Sequence, residues 1–399
     1  MLLIAVPVLC VVLACRNDIA TGRAETAPPV TPPSVPQRSP SRLERLRIDN
    51  TRFITSGGKP FEWRGITAFR LVDYVADGQT DQAETFLRWA AQQRLTVVRV
   101  LTMMAGQFDL RPEDGRRALP RLLELAAAHG LYVEVVALAG TADIRVNLQE
   151  HVDGVGQILA AHPNGLLEIA NEPVHPSQSA EVQQPRVLEA LATRVPRDVP
   201  VSLGSIERGD GFGAGSYITW HAPRDSGRDG WGHVHALPEG AALLGRWRKP
   251  VVSDEPIGAG SDLQPGRRDN APARFRAAAL LTRLAGLGAT FHYEGGIQAR
   301  VPEGRERECF DAWNEAWTLL PEHIEREGAF STAGSGRAIV AGYERSRMQG
   351  VYERVAETRA WVLALGDADA KLKLAAGWTI VDSRRIDGGR LLVLRRLTS

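Results

Sequence analysis

From about Arg52 to Asp311 the chain alternates short β-branched and aliphatic runs with longer stretches whose apolar positions recur at helical spacing. That alternation is the pattern of repeated strand–helix units around a parallel sheet. Eight runs read as strands: Phe61–Thr67, Thr96–Thr102, Leu131–Leu138, Leu166–Ala170, Val199–Ser205, Tyr217–His221, Pro250–Asp254 and Ala289–Tyr293. Between them, Asp81-x-x-Glu84 reads as a capping box opening a helix over Asp81–Arg94, with Ala83, Phe86, Leu87 and Ala90 on one face. Gly130 ends a helix over Gly115–His129, and Asn270 with Pro272 opens one that runs toward Gly286. Most strands follow one another at roughly 30 to 40 residues, the length of one strand–helix unit, so the expected fold is a (β/α)₈ barrel over residues 51–330. The step from the fifth to the sixth strand is shorter and carries the glycine-rich Arg208–Gly215. That run lacks the GxGxxG spacing and leads into no helix, so it is not read as a dinucleotide loop.

Beyond a last barrel helix near Asp311–Glu325 the period changes to two, over Gly350–Val355, Arg359–Leu365, Lys371–Leu374 and a pair flanking Asp387-Gly388-Gly389. A small antiparallel β domain over 340–399 is expected, too small to stand alone and therefore packed on the barrel. At the other end, Leu2–Cys15 is an unbroken apolar run, too short to cross a bilayer and of the length of a signal-peptide core. Residues 1–15 are read as an export signal and 16–50 as a linker, its APPVTPPSVPQRSP segment too proline-rich to pack. Val12-Leu13-Ala14-Cys15 resembles the lipobox of bacterial lipoproteins, which implies a lipidated Cys15, membrane attachment, and a periplasmic, secreted or outer-surface location.

Composition narrows the partners. With 44% apolar and 24% charged residues the chain is not intrinsically disordered. Lys+Arg 48 against Asp+Glu 47, with lysines only at 59, 249, 371 and 373, offers no basic face to nucleic acid. The cysteines are Cys10, Cys15 and Cys309. A mature exported chain therefore has no internal disulfide, and without a CxxC spacing no structural zinc site is expected. Cys309 reads as a core residue.

In a (β/α)₈ enzyme the reacting groups project from the C-terminal ends of the strands. Strand four runs into Asn171-Glu172-Pro173 and strand seven into Asp254-Glu255-Pro256. These strands lie nearly opposite each other, so Glu172 and Glu255 face one cleft. Two carboxylates about 5 Å apart suit double displacement at an anomeric carbon, one as nucleophile and one as acid and then base. Desolvation or the partner's charge can keep Glu172 protonated. Period two places Glu168 on the same inward face, where it needs a cation, and Arg99 is the candidate; if it also reaches Glu255 it favours the ionised nucleophile.

Four segments resemble the retaining (β/α)₈ glycoside hydrolases related to cellulases and β-mannanases: Gly57–Thr67 as first strand, Val97-Val98-Arg99-Val100 as second, Glu168–Pro173 as fourth, and Glu255 at the nucleophile's place. The resemblance implies an acid/base role for Glu172, a nucleophile role for Glu255, and substrate positioning by Asn171 and Arg99. The sequence departs from the family at Thr67, at strand three, where no histidine closes the strand, at Asp254-Glu255-Pro256-Ile257-Gly258, and at His292-Tyr293 in place of a tryptophan. Asp254 is the alternative working acid. His221 stands where a sixth-strand residue orients the nucleophile. His292 is a further substrate-contacting candidate, and Trp220, Trp231 and Tyr293 are candidates for stacking on pyranose rings, whereas Trp63 and Trp89 read as core. Arg224 either meets a charged sugar or holds a loop. His233-Val234-His235 has metal-ligand spacing but lies in the loop after strand six, so no catalytic metal is expected, and no cofactor. The expected function is hydrolysis of β-glycosidic bonds in a poly- or oligosaccharide by an exported monomer. The alternative is a catalytically degenerate barrel that binds cell-envelope glycan.

Overall fold

The computed structural model describes residues 43–397 apart from 206–212, 223–229, 257, 260–267, 333–336, 341–349 and 367–371. The export signal, Cys15, most of the linker, most of the glycine-rich run and Arg224 lie outside the described residues.

Eight parallel strands overlap the eight expected runs: Arg64–Thr67, Val97–Leu101, Tyr132–Leu138, Gly165–Ala170, Val201–Gly204, Ile218–Trp220, Val251–Ser253 and Gly288–Phe291. Their order is 5-4-3-2-1-8-7-6, so strand one pairs with strand eight and the ring is laddered all round except between strands five and six. Hydroxyl groups bridge that seam. Ser202 Oγ lies 2.8 Å from Thr219 Oγ1 and accepts from Thr219 N at 3.2 Å, and Ser216 Oγ accepts from Val201 N at 2.7 Å.

Inward positions stack in layers, as period two requires. The lowest holds Val97, Tyr132, Leu166, Tyr217 and Val252, packed with Trp63 beneath a small antiparallel sheet of Leu46–Asp49, Arg52–Thr55 and Pro60–Phe61. Phe53 meets Trp63 at 5.1 Å between centroids and Phe61 meets Tyr132 at 4.9 Å, so this sheet plugs the N-terminal end of the barrel. The segment expected as linker to residue 50 thus enters a strand at Leu46, because Leu46 and Phe53 are needed to cover that apolar layer. Two residues further along each strand the next layer is polar: Arg99, Glu134, Glu168, Thr219 and Asp254, all buried.

Proline at the first helical turn opens Pro112–Ala128, Pro185–Ala192, Pro238–Trp247 and Pro272–Ala285, and Gly130 and Gly286 end two of these in left-handed conformation. The expected capping box is absent. The helix starts at Thr80 behind Gln79 with no side-chain cap, which leaves Asp81 inside the first turn where its charge meets the positive end of the helix dipole. Trp89 is half-buried and packs against Phe86 and Phe310 at the margin of the core.

The C-terminal sheet is antiparallel in the order Ala329–Thr332, Gly350–Val355, Arg359–Leu365, Gly389–Arg396, Trp378–Ile386. It begins before the expected boundary at 340. Its Tyr352, Trp361, Leu363, Leu365 and Leu391 join the barrel's core, and buried Arg354 donates to the carbonyls of Leu284, Glu325 and Gly328 at 2.6 to 3.1 Å.

Ser202→Ala removes the hydroxyl that bridges the unladdered seam and leaves Thr219 N and Oγ1 short of a buried partner. Chemical denaturation is expected to show a loss of about 1–3 kcal/mol, and an unchanged midpoint would show that backbone contacts alone hold the seam.

Candidate active site

The polar layer is organised around Arg99, which is fully buried. Thr67, Arg99 and Glu134 are register partners on strands one to three, so three neighbouring strands bring polar side chains to one level. Arg99 grips Glu168 with two N–H groups, Nε to Oε2 at 3.0 Å and Nη2 to Oε1 at 3.1 Å. Its Nη1 donates to Glu255 Oε2 at 2.9 Å and its Nη2 to Asn171 Oδ1 at 2.8 Å. Asp254 Oδ2 lies 3.2 Å from Nε, Glu134 Oε2 at 3.8 Å, and the guanidinium carbon 5.2 Å from the Phe69 ring centroid.

Above this layer His221 joins the strand ends. Its Nδ1 lies 3.2 Å from Glu172 Oε1, and its Nε2 lies 2.5 Å from Ser205 Oγ, 3.3 Å from Asp254 Oδ1 and 3.5 Å from Glu255 Oε2. His292 Nδ1 is 3.0 Å from Thr67 Oγ1, and its Nε2 is 3.8 Å from Glu255 Oε1. Glu172 is half-buried and has φ +42°, a left-handed backbone that costs a non-glycine residue of order 1 kcal/mol or more. One oxygen of Glu172, one of Glu255 and one His221 nitrogen all lie within 4.8 Å of one another.

Burial sets the charge states. It drives Glu134 well above the ordinary carboxylate range, with the Glu168 and Asp254 charges adding to it and Arg99 and Tyr217 opposing. Tyr217 donates its hydroxyl to Glu134 Oε1 at 3.0 Å. Burial likewise pushes Glu168 up to about 8 against the pull of Arg99. At Asp254 burial acts in the same direction, but Arg99 and His221 outweigh it and hold that carboxyl below its usual value. Burial lowers His221, yet Asp254 and Glu255 overcome it and raise the imidazole to about 10.

Arg99, Asn171, Glu172, His221, Glu255 and His292 therefore meet at one place, with Asp254 beneath them. Trp220 and Tyr293 do not. On strand six Tyr217, Thr219 and His221 share the inward face, so Trp220 points outward and lies against Gly240 of the helix Pro238–Trp247. On strand eight Thr290 and His292 face inward and Tyr293 outward, its hydroxyl donating to the Arg300 carbonyl and its ring against Gly295 and Gly296. Trp231 is also buried, its ring against Gly388 of the C-terminal hairpin. Sequence reasoning missed Glu134, Ser205 and Phe69. The signal for Glu134 was its place two residues beyond Tyr132 in an otherwise apolar strand.

Two residue sets have the spacing of metal ligands. In the first, Glu172, His221 and Glu255, the ring nitrogens of His221 already face Glu172, Ser205, Asp254 and Glu255, and Glu255 meets Arg99 Nη1. Glu134, Glu168 and Asp254 face the Arg99 guanidinium, which already supplies the positive charge there. His233 and His235 are buried in the short helix Gly232–Ala236, with His235 Nδ1 2.6 Å from the Tyr352 hydroxyl.

No protein-family model matches the sequence, and no curated protein matches it. Among solved structures the chain is similar to a glycoside hydrolase, at 14% identity over 88% of this chain and 97% of that one, with a TM-score of 0.57. It is similar to a family 5 glycoside hydrolase from Bacteroides vulgatus at 14% identity, over 88% of this chain and 94% of that one, also at 0.57. The likeness is one of fold: the (β/α)₈ architecture expected from the sequence is the one these structures have.

The charge states give a sign to the pH dependence of stability. Glu168 keeps its proton to about 8 in the fold against 4.5 ordinarily, so the folded chain binds the extra proton and loses stability as pH rises through that window. His221 contributes stability fully present below 6.5 and lost as pH climbs toward 10. The urea midpoint is expected to fall between pH 7 and pH 10, and Glu168→Gln to remove the share of the decline below pH 8. A flat midpoint in the parent chain contradicts both assignments.

Proposed function

We propose that the chain is a retaining glycoside hydrolase that cleaves β-glycosidic bonds of a poly- or oligosaccharide by double displacement. The approach of Glu172 and Glu255 oxygens to within 4.8 Å, from the ends of strands four and seven, carries this reading. It matches the short separation of a nucleophile and an acid/base rather than the wider gap that admits a water between them. The fold shared with glycoside hydrolase structures supports it.

In the first step the Glu255 carboxylate attacks the anomeric carbon while the bond to the leaving oxygen breaks and that oxygen takes the proton of Glu172. In the second, Glu172 as a carboxylate takes a proton from water, whose oxygen attacks the anomeric carbon and releases Glu255. Arg99, 2.9 Å from Glu255, favours its ionised form. The same guanidinium binds Asn171 Oδ1, which turns the amide nitrogen to donate to a sugar hydroxyl. Export, with Cys15 as lipid anchor, completes the proposal and rests on the N-terminal apolar run.

The test is hydrolysis of aryl β-glycosides and of β-glucan, mannan and xylan, with the anomer released first read by NMR. Glu172→Gln is expected to lower turnover about 10²–10⁴-fold on poor leaving groups, Glu255→Gln to abolish it, and the first product to be the β-anomer. An α-anomer, or turnover insensitive to both substitutions, sinks the mechanism. Glycan binding without turnover returns the glycan-binding reading.

A further inference from the structure

We propose that Asp254, the residue before the nucleophile, is a positioning residue that holds His221 as an imidazolium, so that Nδ1 always donates to Glu172 Oε1 and the other carboxyl oxygen is kept for the leaving group. This rests on the glycosidase reading above. Asp254 is fully buried beneath the catalytic pair, and neither of its oxygens receives an aligned hydrogen bond among the described residues. What faces it are the Arg99 guanidinium, with Nε at 3.2 Å, and the His221 imidazole, with Nε2 at 3.3 Å.

The other groups around His221 are Glu172 from strand four, Ser205 from strand five and Glu255 from strand seven, with Glu168 and Arg99 in the layer below. A neutral imidazole has one donor and one acceptor nitrogen. Nε2 faces Asp254 and Glu255 together, so it carries a hydrogen. Nδ1 then has two states. As a lone pair it accepts the proton of Glu172, and the acid is lost to the reaction. As N–H it donates to Glu172 Oε1, and the carboxyl proton is left on the other oxygen, toward the leaving group. The negative charge of Asp254 selects the second state, and it is the largest of the influences that raise the imidazole to about 10 against burial. No bond to Asp254 forms or breaks in the cycle.

The test is a titration of the His221 ring nitrogens by NMR on the full chain with ¹⁵N-labelled histidine, the signals assigned through His221→Gln. Wild-type His221 is expected to remain an imidazolium from pH 5 to 9. In Asp254→Asn it should titrate within that range, while kcat falls about 10–100-fold, KM changes little, and the alkaline limb of kcat moves down to the new midpoint. Should Asp254→Asn not fold, the wild-type titration alone decides. A wild type that turns over no glycoside overturns the proposed function whichever way His221 titrates. A neutral His221 at pH 7 in an active wild type, or an unchanged midpoint in Asp254→Asn, overturns this inference alone.

Discussion

A guanidinium with no exposed surface lies on the axis of the barrel, and the polar chemistry of this chain follows from its need for partners. An uncompensated buried charge costs several kcal/mol, so Arg99 is tenable only if strands two, three, four and seven come together in one register around it. Glu134, Glu168, Asp254 and Glu255 arrive from three of those strands, each within 4 Å of a guanidinium nitrogen. Four carboxylates exceed one cation. Burial resolves the excess by keeping Glu134 and Glu168 protonated near neutral pH, and His221 supplies the second positive charge above them. In the proposed reaction two cations then stand against Asp254 and Glu255 as anions. The carboxylate that faces the cleft lies at the edge of a charge set already balanced below it.

The fold was legible in the sequence wherever a segment was long enough to show its period. Strands two, three, four, six and seven are apolar on both faces near their start, because one face meets helices and the other meets the plug, and such runs stand out between amphipathic helices. The strands Gly350–Val355 and Arg359–Leu365 were also readable to the residue, since alternate side chains enter two separate cores. The plug was not legible. Its strands span two to four residues, too few for alternation to be seen, and they follow a proline-rich stretch that reads as linker. The hydroxyl-bridged seam was hidden for another reason: Ser202, Ser216 and Thr219 look like ordinary strand and turn residues until the missing ladder is known.

At the site, sequence reasoning found the residues at strand ends and Arg99 within strand two, and two of its three misplacements share one cause. Trp220 and Tyr293 are large aromatics next to His221 and His292, which is attractive chemistry, but neighbours in a strand point to opposite faces. Counting by twos from Tyr217 and from Thr290 selects the histidines and rejects the aromatics. The same count from Leu166 reaches Glu168 and Glu172, and from Val97 it reaches Arg99.

Strand seven shows where that count stops. From Val252 it selects Asp254 and sends Glu255 outward, yet Glu255 contacts Arg99, His221 and His292. The ladder ends at Ser253, and the chain bends at Glu255, so consecutive residues are released from alternation and both can face the axis. Two adjacent acids at one site carry mutual repulsion unless cations divide them. Here Arg99 Nε meets Asp254 while Nη1 meets Glu255, and His221 Nε2 lies within 3.5 Å of both. Asp254 is the member that the regular strand delivers to the buried layer, and Glu255 is the member that the irregular turn lifts into the cleft. A carboxylate in regular strand is fixed and shielded, suited to setting the charge of its neighbours. One at the end of a released segment is suited to meeting a substrate.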